Sequence, residues 1–384
     1  MSNVLKGKKI LLISPQPWSE MWISKHHYAI ELSKRGNKVY FLNPPTSSVK
    51  HGTCMITGEP VKNVFLINYR PLFPMRWKFK FNSLFNFFMQ HQVEKINSCI
   101  GGRPDIVWDF EPNRQFSDLR WFGADIKIYH PVDATPEMNG STKHADIIIS
   151  VSDVILDYFK EAKIPRHFIN HGLGAAFTKM ALQRLQNIEQ SRKNDKNNIN
   201  FGYVGNLLMQ YINHRLFEEV ISTNPKINFH IWGPYDYSSM PYTEPNASQI
   251  ANFIEFLKKS KNVVLYGRQS HAEILPKMVN LDGFFWCYDG SRDPNKGSNS
   301  HKILEYLSTG KVIVSTYISS YEKYKDLNIM VMSKSDDEYC NRFKEVVSNI
   351  ETYNSTSLMI SRMKLAIDNT YTSNLNHIES LLIQ

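Results

Sequence analysis

The stretch GSNSHKILEYLSTGKVIVST, residues 297–316, decides how this chain is read. Its second half is an amphipathic helix with an apolar stripe of Ile303, Leu304 and Leu307, a glycine stop at Gly310 and a buried strand, KVIVST. Its first half is polar, with Asn299 or Ser300 as the helix cap. Lys302 and Glu305 stand one turn apart on another face. A lysine in the first turn opposes the helix dipole unless an anion sits there too. A diphosphate would supply that anion, and the carboxylate one turn on could accept hydrogen bonds from ribose hydroxyls. A solvated Lys/Glu pair on an exposed helix is the other reading of the same residues.

Outward from this stretch, short apolar runs alternate with helical periodicities almost throughout. In the first half the expected strands are KKILLIS (8–14), KVYFLNP (38–44), VFLINY (64–69), DIVWDF (105–110), KIYHPV (127–132), ADIIISVS (145–152) and RHFINHG (166–172). Their apolar residues are consecutive, which suggests strands covered on both faces, as in a doubly wound parallel sheet. The segment 182–200, LQRLQNIEQSRKNDKNNIN, is polar without a core-forming period and reads as an interdomain linker. The alternation then resumes with NFGYVGNL, NFHIWGP, NVVLYGR, GFFWCYD, KVIVST and NIMVMS. The expectation is two α/β units in series, 1–181 and 201–365. Open parallel sheets bind ligands outside the carboxyl ends of their strands, so chemistry is sought in the loops that follow them.

Composition bounds the function. With 384 residues, 42% hydrophobic and 21% charged, the chain is globular and long enough for two cores. Four scattered cysteines form no CxxC pair, which fits a reducing cytoplasm. The apolar run Ile10–Ile13 is too short for a signal-peptide core, and no segment approaches the roughly 20 apolar residues that cross a bilayer. The net charge of +9 calls for an acidic partner, either a phosphorylated small molecule, an anionic membrane surface or a nucleic acid. No RNP-like, zinc-finger or basic-heptad signature supports the last of these.

HKILEYLSTGKVIVST resembles the nucleotide-sugar motif of GT-B glycosyltransferases of the family 4 type, known from bacterial polysaccharide synthesis. Further segments are similar to that family in order and position: KKILLISPQP…AIELSKRGNKVYFLNP, HADIIISVSDVILDYF, RHFINHGLGAAF and NFGYVGNL. The resemblance implies two Rossmann-like domains facing across a cleft, an N-terminal acceptor domain and a C-terminal donor domain, with the C-terminal helix 366–384 packing back on the first. It implies that Glu305 contacts the donor ribose and that Lys302 is the basic partner. The family's first glutamate is replaced by Gly297, so donor contacts fall to Ser298, Asn299 and Ser300. Asn206, after Gly205, stands where an arginine for the diphosphate is expected; Arg268, after Gly267, or Lys302 is the candidate to compensate.

In the first half, strand KIYH delivers His130 and Asp133 at its carboxyl end. The resemblance makes His130 the residue beside the donor sugar, with Asp133 orienting the ring or accepting a hydroxyl; a satisfied structural histidine is the alternative. The loop SPQPWSEMW lacks the family's glycines and offers Trp18, Glu20 and Trp22 for acceptor recognition or for core packing. Asp109-Phe110-Glu111 is the nearest approach to an acidic metal motif, and neither a metal nor another cofactor is expected. RPLFPMRWKFKFNSLFNFFMQHQVEK (70–95) interleaves cations with aromatics, as a membrane-surface patch or as buried rings flanked by solvated lysines. The leading expectation is a glycosyltransferase using a nucleoside diphosphate sugar and a saccharide acceptor that is lipid-linked or free, and the resemblance implies retention at the anomeric carbon. A nucleotide-sugar epimerase and a non-catalytic nucleotide-sugar-binding protein are the alternatives.

Overall fold

The computed structural model describes residues 4–19, 23–135, 138, 140–188, 198–237, 246–292 and 299–383. The chain divides into two compact units, Met1–Gly172 with Tyr371–Gln384, and Leu173–Thr370.

The first unit holds eight strands: β1 Lys9–Ile13, β2 Lys38–Leu42, β3 Thr53–Val61, β4 Val64–Arg70, β5 Ile106–Asp109, β6 Ile126–Tyr129, β7 Ile147–Ser150 and β8 Arg166–Phe168. They form one sheet in the order β3-β4-β2-β1-β5-β6-β7-β8, parallel except for the β3/β4 pair. Each strand expected from the sequence is present. Their side chains divide by parity between two cores, with Leu11, Ile13, Val107 and Tyr129 on one face and Ile10, Leu12, Trp108 and Ile128 on the other. That is the physical reason for consecutive apolar runs.

The antiparallel edge strand β3 was not anticipated. Most of its residues are exposed, and its sequence TCMITGEPV carries a glycine and a proline where an alternating pattern would be needed. Proline is tolerated there because an edge strand has one unpaired side. Asn63, at φ +65°, supplies the turn into β4.

The second unit contains β9 Asn200–Val204, β10 Asn228–Trp232, β11 Val263–Gly267, β12 Gly283–Trp286, β13 Val312–Thr316 and β14 Val331–Ser333. The order β11-β10-β9-β12-β13-β14 is wholly parallel and reverses between β9 and β12. The first sheet reverses likewise between β1 and β5. Such switch points are where loops after the strands diverge and ligands are held. In the second sheet the backbone after β9 and β10 is close-packed: a Cβ on Gly233, at φ +137°, would lie 1.8 Å from the Gly205 carbonyl oxygen.

The division between units falls ahead of the expected 182–200 linker. Helix Ala175–Gln186 buries Phe177, Met180 and Ala181 within the second unit, so the linker's first residues are helical. Residues 189–197 lie outside the described residues. At the other end, helix Thr356–Asp368 belongs to the second unit and the returning helix is Tyr371–Ile383, shorter than the 366–384 expected. It buries Tyr371, Leu375 and Ile378 on the first sheet. The Tyr371 ring lies against Gly172, where a Cβ would come within 2.3 Å.

Candidate functional site

The helix His301–Ser308 begins as the sequence implies, with Ser300 Oγ accepting from the Lys302 backbone N–H at 3.3 Å. It is buried on more sides than its apolar stripe required. Tyr306 stacks on Phe284 with ring centroids 4.2 Å apart. Its hydroxyl accepts from Val204 N at 2.7 Å and donates to Val204 O at 3.2 Å. The helix is thereby pinned to the carboxyl end of β9, beside the switch point. From behind, Arg362 donates to Gly310 O at 3.0 Å and Ile329 O at 2.8 Å. Burial lowers the pKa of this guanidinium to about 9.

Glu305 is buried with the helix, only 6% exposed, which excludes the solvated-pair reading. Lys302 Nζ lies 2.9 Å from its Oε2 and 3.3 Å from its Oε1. Two histidines complete the surround, His271 Nε2 at 3.8 Å and His301 Nε2 at 3.9 Å from Oε1. His271 opens the helix His271–Met278, whose first turn is closed by reciprocal Ser270/Glu273 hydrogen bonds. Burial pushes its pKa down, Glu305 opposes that shift and Lys302 reinforces it. A buried carboxylate with an ammonium and two imidazoles can accept from vicinal hydroxyls while its cation faces a phosphate. Neither histidine was singled out from sequence, because His271 is separated from Glu305 by its own helix, strand β12 and a loop, and His301 reads as an ordinary exposed helix residue.

The remaining donor candidates surround this group in different ways. Asn299 is buried next to the Ser300 cap, whereas Ser298 and Gly297 lie outside the described residues. Gly205 and Asn206 follow β9; the Asn206 side chain accepts from Leu208 N at 3.1 Å and so closes a local turn. Gly267, at φ +70°, and the exposed Arg268 form the turn that leads to His271.

In the first unit His130 is fully buried at the end of β6. It sits among Trp108, Phe110 and Tyr28, with ring centroids 6.1, 4.5 and 5.5 Å away. Trp108 Nε1 donates to His130 Nδ1 at 3.3 Å. An indole N–H can only donate, so the neutral ring carries its proton on Nε2. That atom is buried without a hydrogen-bond partner among the described residues. Burial holds the pKa of His130 well below the usual histidine value, and His171 and Lys25 add to the effect. The ring is therefore a neutral N–H donor, not a cationic acid.

Three neighbouring polar groups escaped the sequence reading. Lys25, in the first turn of helix Ser24–Lys34, is buried, donates to Gln16 Oε1, and has its pKa lowered by burial to about 8 against the opposing charge of Asp133. Ser24 Oγ and His171 Nδ1 are 3.1 Å apart. Asp133 itself is exposed. Trp18 is half-buried, its ring edge-on to Phe41 and His26 at centroid distances of 5.0 and 4.9 Å. Glu20 and Trp22 lie outside the described residues.

The acidic pair after β5 is occupied by protein. Lys143 Nζ lies 2.7 Å from Asp109 Oδ2 and 3.6 Å from Glu111 Oε2. Glu111 also accepts from Asn113 N and Gln115 N. Burial opposes the lysine's charge, but Asp109, Tyr129 and Glu111 outweigh it and push its pKa up. Among the described residues there is no group of three or more His, Cys, Asp or Glu side chains placed to hold a metal ion.

No protein-family profile matches the sequence, and no curated protein does. Solved structures do. The chain is similar to a sucrose-phosphate synthase from Thermosynechococcus elongatus, with a TM-score of 0.67, 12% identity and 98% of each chain covered. It is similar to HepE of Anabaena in complex with UDP and glucose, with a TM-score of 0.64 and 13% identity over 98% of this chain and all of that one. It is also similar to an alpha,alpha-trehalose 6-phosphate synthase from Burkholderia multivorans, with a TM-score of 0.66 and 9% identity over 98% of this chain and 96% of that one. The chain has the GT-B fold. At such identities the likeness establishes architecture, and what a GT-B chain does has to be argued from its own side chains.

Proposed function

We propose that this protein is a glycosyltransferase that moves a sugar from a nucleoside diphosphate donor to a saccharide acceptor. The observation that carries the reading is the buried Glu305, with Lys302, His271 and His301 around it, on a helix pinned beside the switch point of the second sheet. Glu305 accepts from the ribose hydroxyls. Lys302 balances the diphosphate, assisted by Arg268 and the backbone after Gly205. Asn299, Ser298 and Ser300 take the contacts to the sugar that Gly297 cannot make.

His130 supports the reacting sugar through Nε2–H, whose hydrogen bond is made only when substrate is bound. Asp133 lies on the same loop and, through its effect on Lys25, belongs to the same charged neighbourhood. In the transfer the anomeric carbon–oxygen bond breaks, the nucleoside diphosphate leaves with its electron pair, and the acceptor hydroxyl forms the new bond as its proton passes to the departing diphosphate oxygen. Asp109 and Glu111 are committed to Lys143, so the leaving diphosphate is stabilised by cations and amides in a metal-independent step. We take the transfer as retaining, with a lipid-linked saccharide as acceptor and surface polysaccharide assembly at the inner face of the membrane as setting. Trp18, with Glu20 and Trp22, contributes to the acceptor side.

HepE is described in complex with UDP and glucose and also with UDP-glucose, which makes UDP-glucose the first donor to test. Incubation with a panel of UDP-, GDP- and dTDP-sugars decides the class. Slow donor hydrolysis supports a transferase, sugar interconversion would identify an epimerase, and binding without turnover a sensor. The sensor is favoured by one observation, the glycine at 297 where the resembling family has a glutamate.

A further inference from the structure

The helices Trp77–Lys80 and Asn82–Cys99 carry more apolar surface than the first unit uses. The longer helix buries Phe85, Met89, Val93 and Ile96, a complete core-facing stripe. Beside that stripe it presents a second one to solvent: Phe81, Leu84 and Phe87 are about half exposed. Phe79, on the short helix, is 63% exposed. Two of them, Phe81 and Phe87, are the ends of one aromatic run. Ring contacts run continuously from Phe81 to Trp77 at 5.5 Å, to Phe73 at 5.1 Å, to Phe88 at 3.8 Å and to Phe87 at 5.4 Å. Isolated exposed apolar residues are ordinary, but a continuous aromatic surface marks an interaction site.

Its charge selects the partner. Between Glu59 and Glu94 the sequence has no carboxylate and five cations, Lys62, Arg70, Arg76, Lys78 and Lys80. Arg76 and Lys80 flank the exposed Phe79 and Phe81, and Lys78 Nζ lies 4.8 Å from the centroid of the Phe79 ring. Among the described residues no helix is long and apolar enough to cross a membrane. Rings at the level of headgroups with cations around them suit an anionic lipid surface, on which the helices lie without spanning it.

We infer that this face docks the protein on anionic membranes, with Phe79, Phe81, Leu84 and Phe87 entering the interface and Arg76 and Lys80 meeting the headgroups. None of these residues belongs to the group around Glu305. Co-sedimentation of the full chain with vesicles tests it, using phosphatidylcholine alone or with phosphatidylglycerol in equal parts. The parent should sediment with the anionic vesicles only, and less at high salt. Arg76→Glu/Lys80→Glu should weaken binding by about 25-fold or more, at roughly fivefold per cation removed. Phe79→Ser/Phe87→Ser should abolish it while both variants melt like the parent. Donor hydrolysis without vesicles should be unchanged in both, so failure of the surface and failure of the transfer reaction are read separately. Binding to neither vesicle, binding indifferent to these substitutions, or concentration-dependent dimerisation that the variants abolish without vesicle binding would each overturn the inference.

Discussion

Replacing Glu305 by glutamine removes one charge and almost no volume, and the surroundings of that carboxylate fix what should follow. Lys302 Nζ already occupies Oε2 at 2.9 Å, while Oε1 has its nearest nitrogen at 3.3 Å and two imidazoles beyond 3.7 Å. In the proposed site Oε1 is thus the oxygen left to accept from the ribose. Hydrogen bonds to a charged acceptor contribute about 1.5–3 kcal/mol each, and the glutamine keeps a neutral acceptor, so the net loss is about 1–3 kcal/mol. That corresponds to nucleotide affinity weakened roughly 5- to 150-fold. Titration calorimetry with UDP and with uridine should show the loss for both ligands, because both carry the ribose. A second readout comes from His271. Glu305 raises its pKa against burial, so Glu305→Gln should lower it further, visible as a shifted ring titration by NMR. A folded variant with parental affinity for both ligands would refute the ribose assignment, and an unmoved His271 titration would refute the electrostatic description of the site.

His130→Ala should reduce turnover by about 10² or more with nucleoside diphosphate affinity nearly unchanged, because its N–H is made useful only beside the reacting sugar; kcat and product affinity measured together check this. Tyr306→Phe strands Val204 N–H and C=O in the core and should cost about 1–3 kcal/mol in urea denaturation. His26 and His214 have folded pKa values lowered by burial to about 4, and His130 is lowered too. The unfolded chain binds more protons than the native one below about 6.5, so stability should fall as pH drops from there toward 4. His214→Phe should flatten that slope in urea midpoints measured against pH, since among the described residues neither buried nitrogen of His214 has a hydrogen-bond partner and its ring already stacks on Phe253 at 4.4 Å.

The sheet strands were legible because burial on both faces writes itself as runs such as ILLI and DIIIS, which need no knowledge of the partner strand. Strand β3 was not, since an edge strand is stabilised by pairing with β4 and its own side chains stay in water. The helical start of the 182–200 segment was not legible for a related reason. Leu182 and its neighbours are polar enough to look unstructured, yet Phe177, Met180 and Ala181 just before them carry the helix onto the second core. In the site, Lys302 and Glu305 were readable because they lie on one helix turn. His271, Lys25 and His171 come from other elements, and a lone histidine or lysine in a sequence carries no sign of the carboxylate or imidazole it will meet.

The Tyr371–Ile383 helix makes the order of synthesis matter. Leu173–Thr370 is continuous and can close its own sheet as soon as it has left the ribosome, but the earlier unit is still missing a wall. Tyr371, Leu375 and Ile378 cover Trp108 and Ile149 only at the very end; Tyr371 then stacks on His27 at 4.6 Å, and Asn374 ties Tyr28 to the Asn170 carbonyl. Tyr28 is one wall of the His130 pocket. The half of the protein made first is therefore the half finished last, and nascent chains carry an unsealed apolar face until the final helix arrives, a reversal of the usual N-to-C sequence of domain folding.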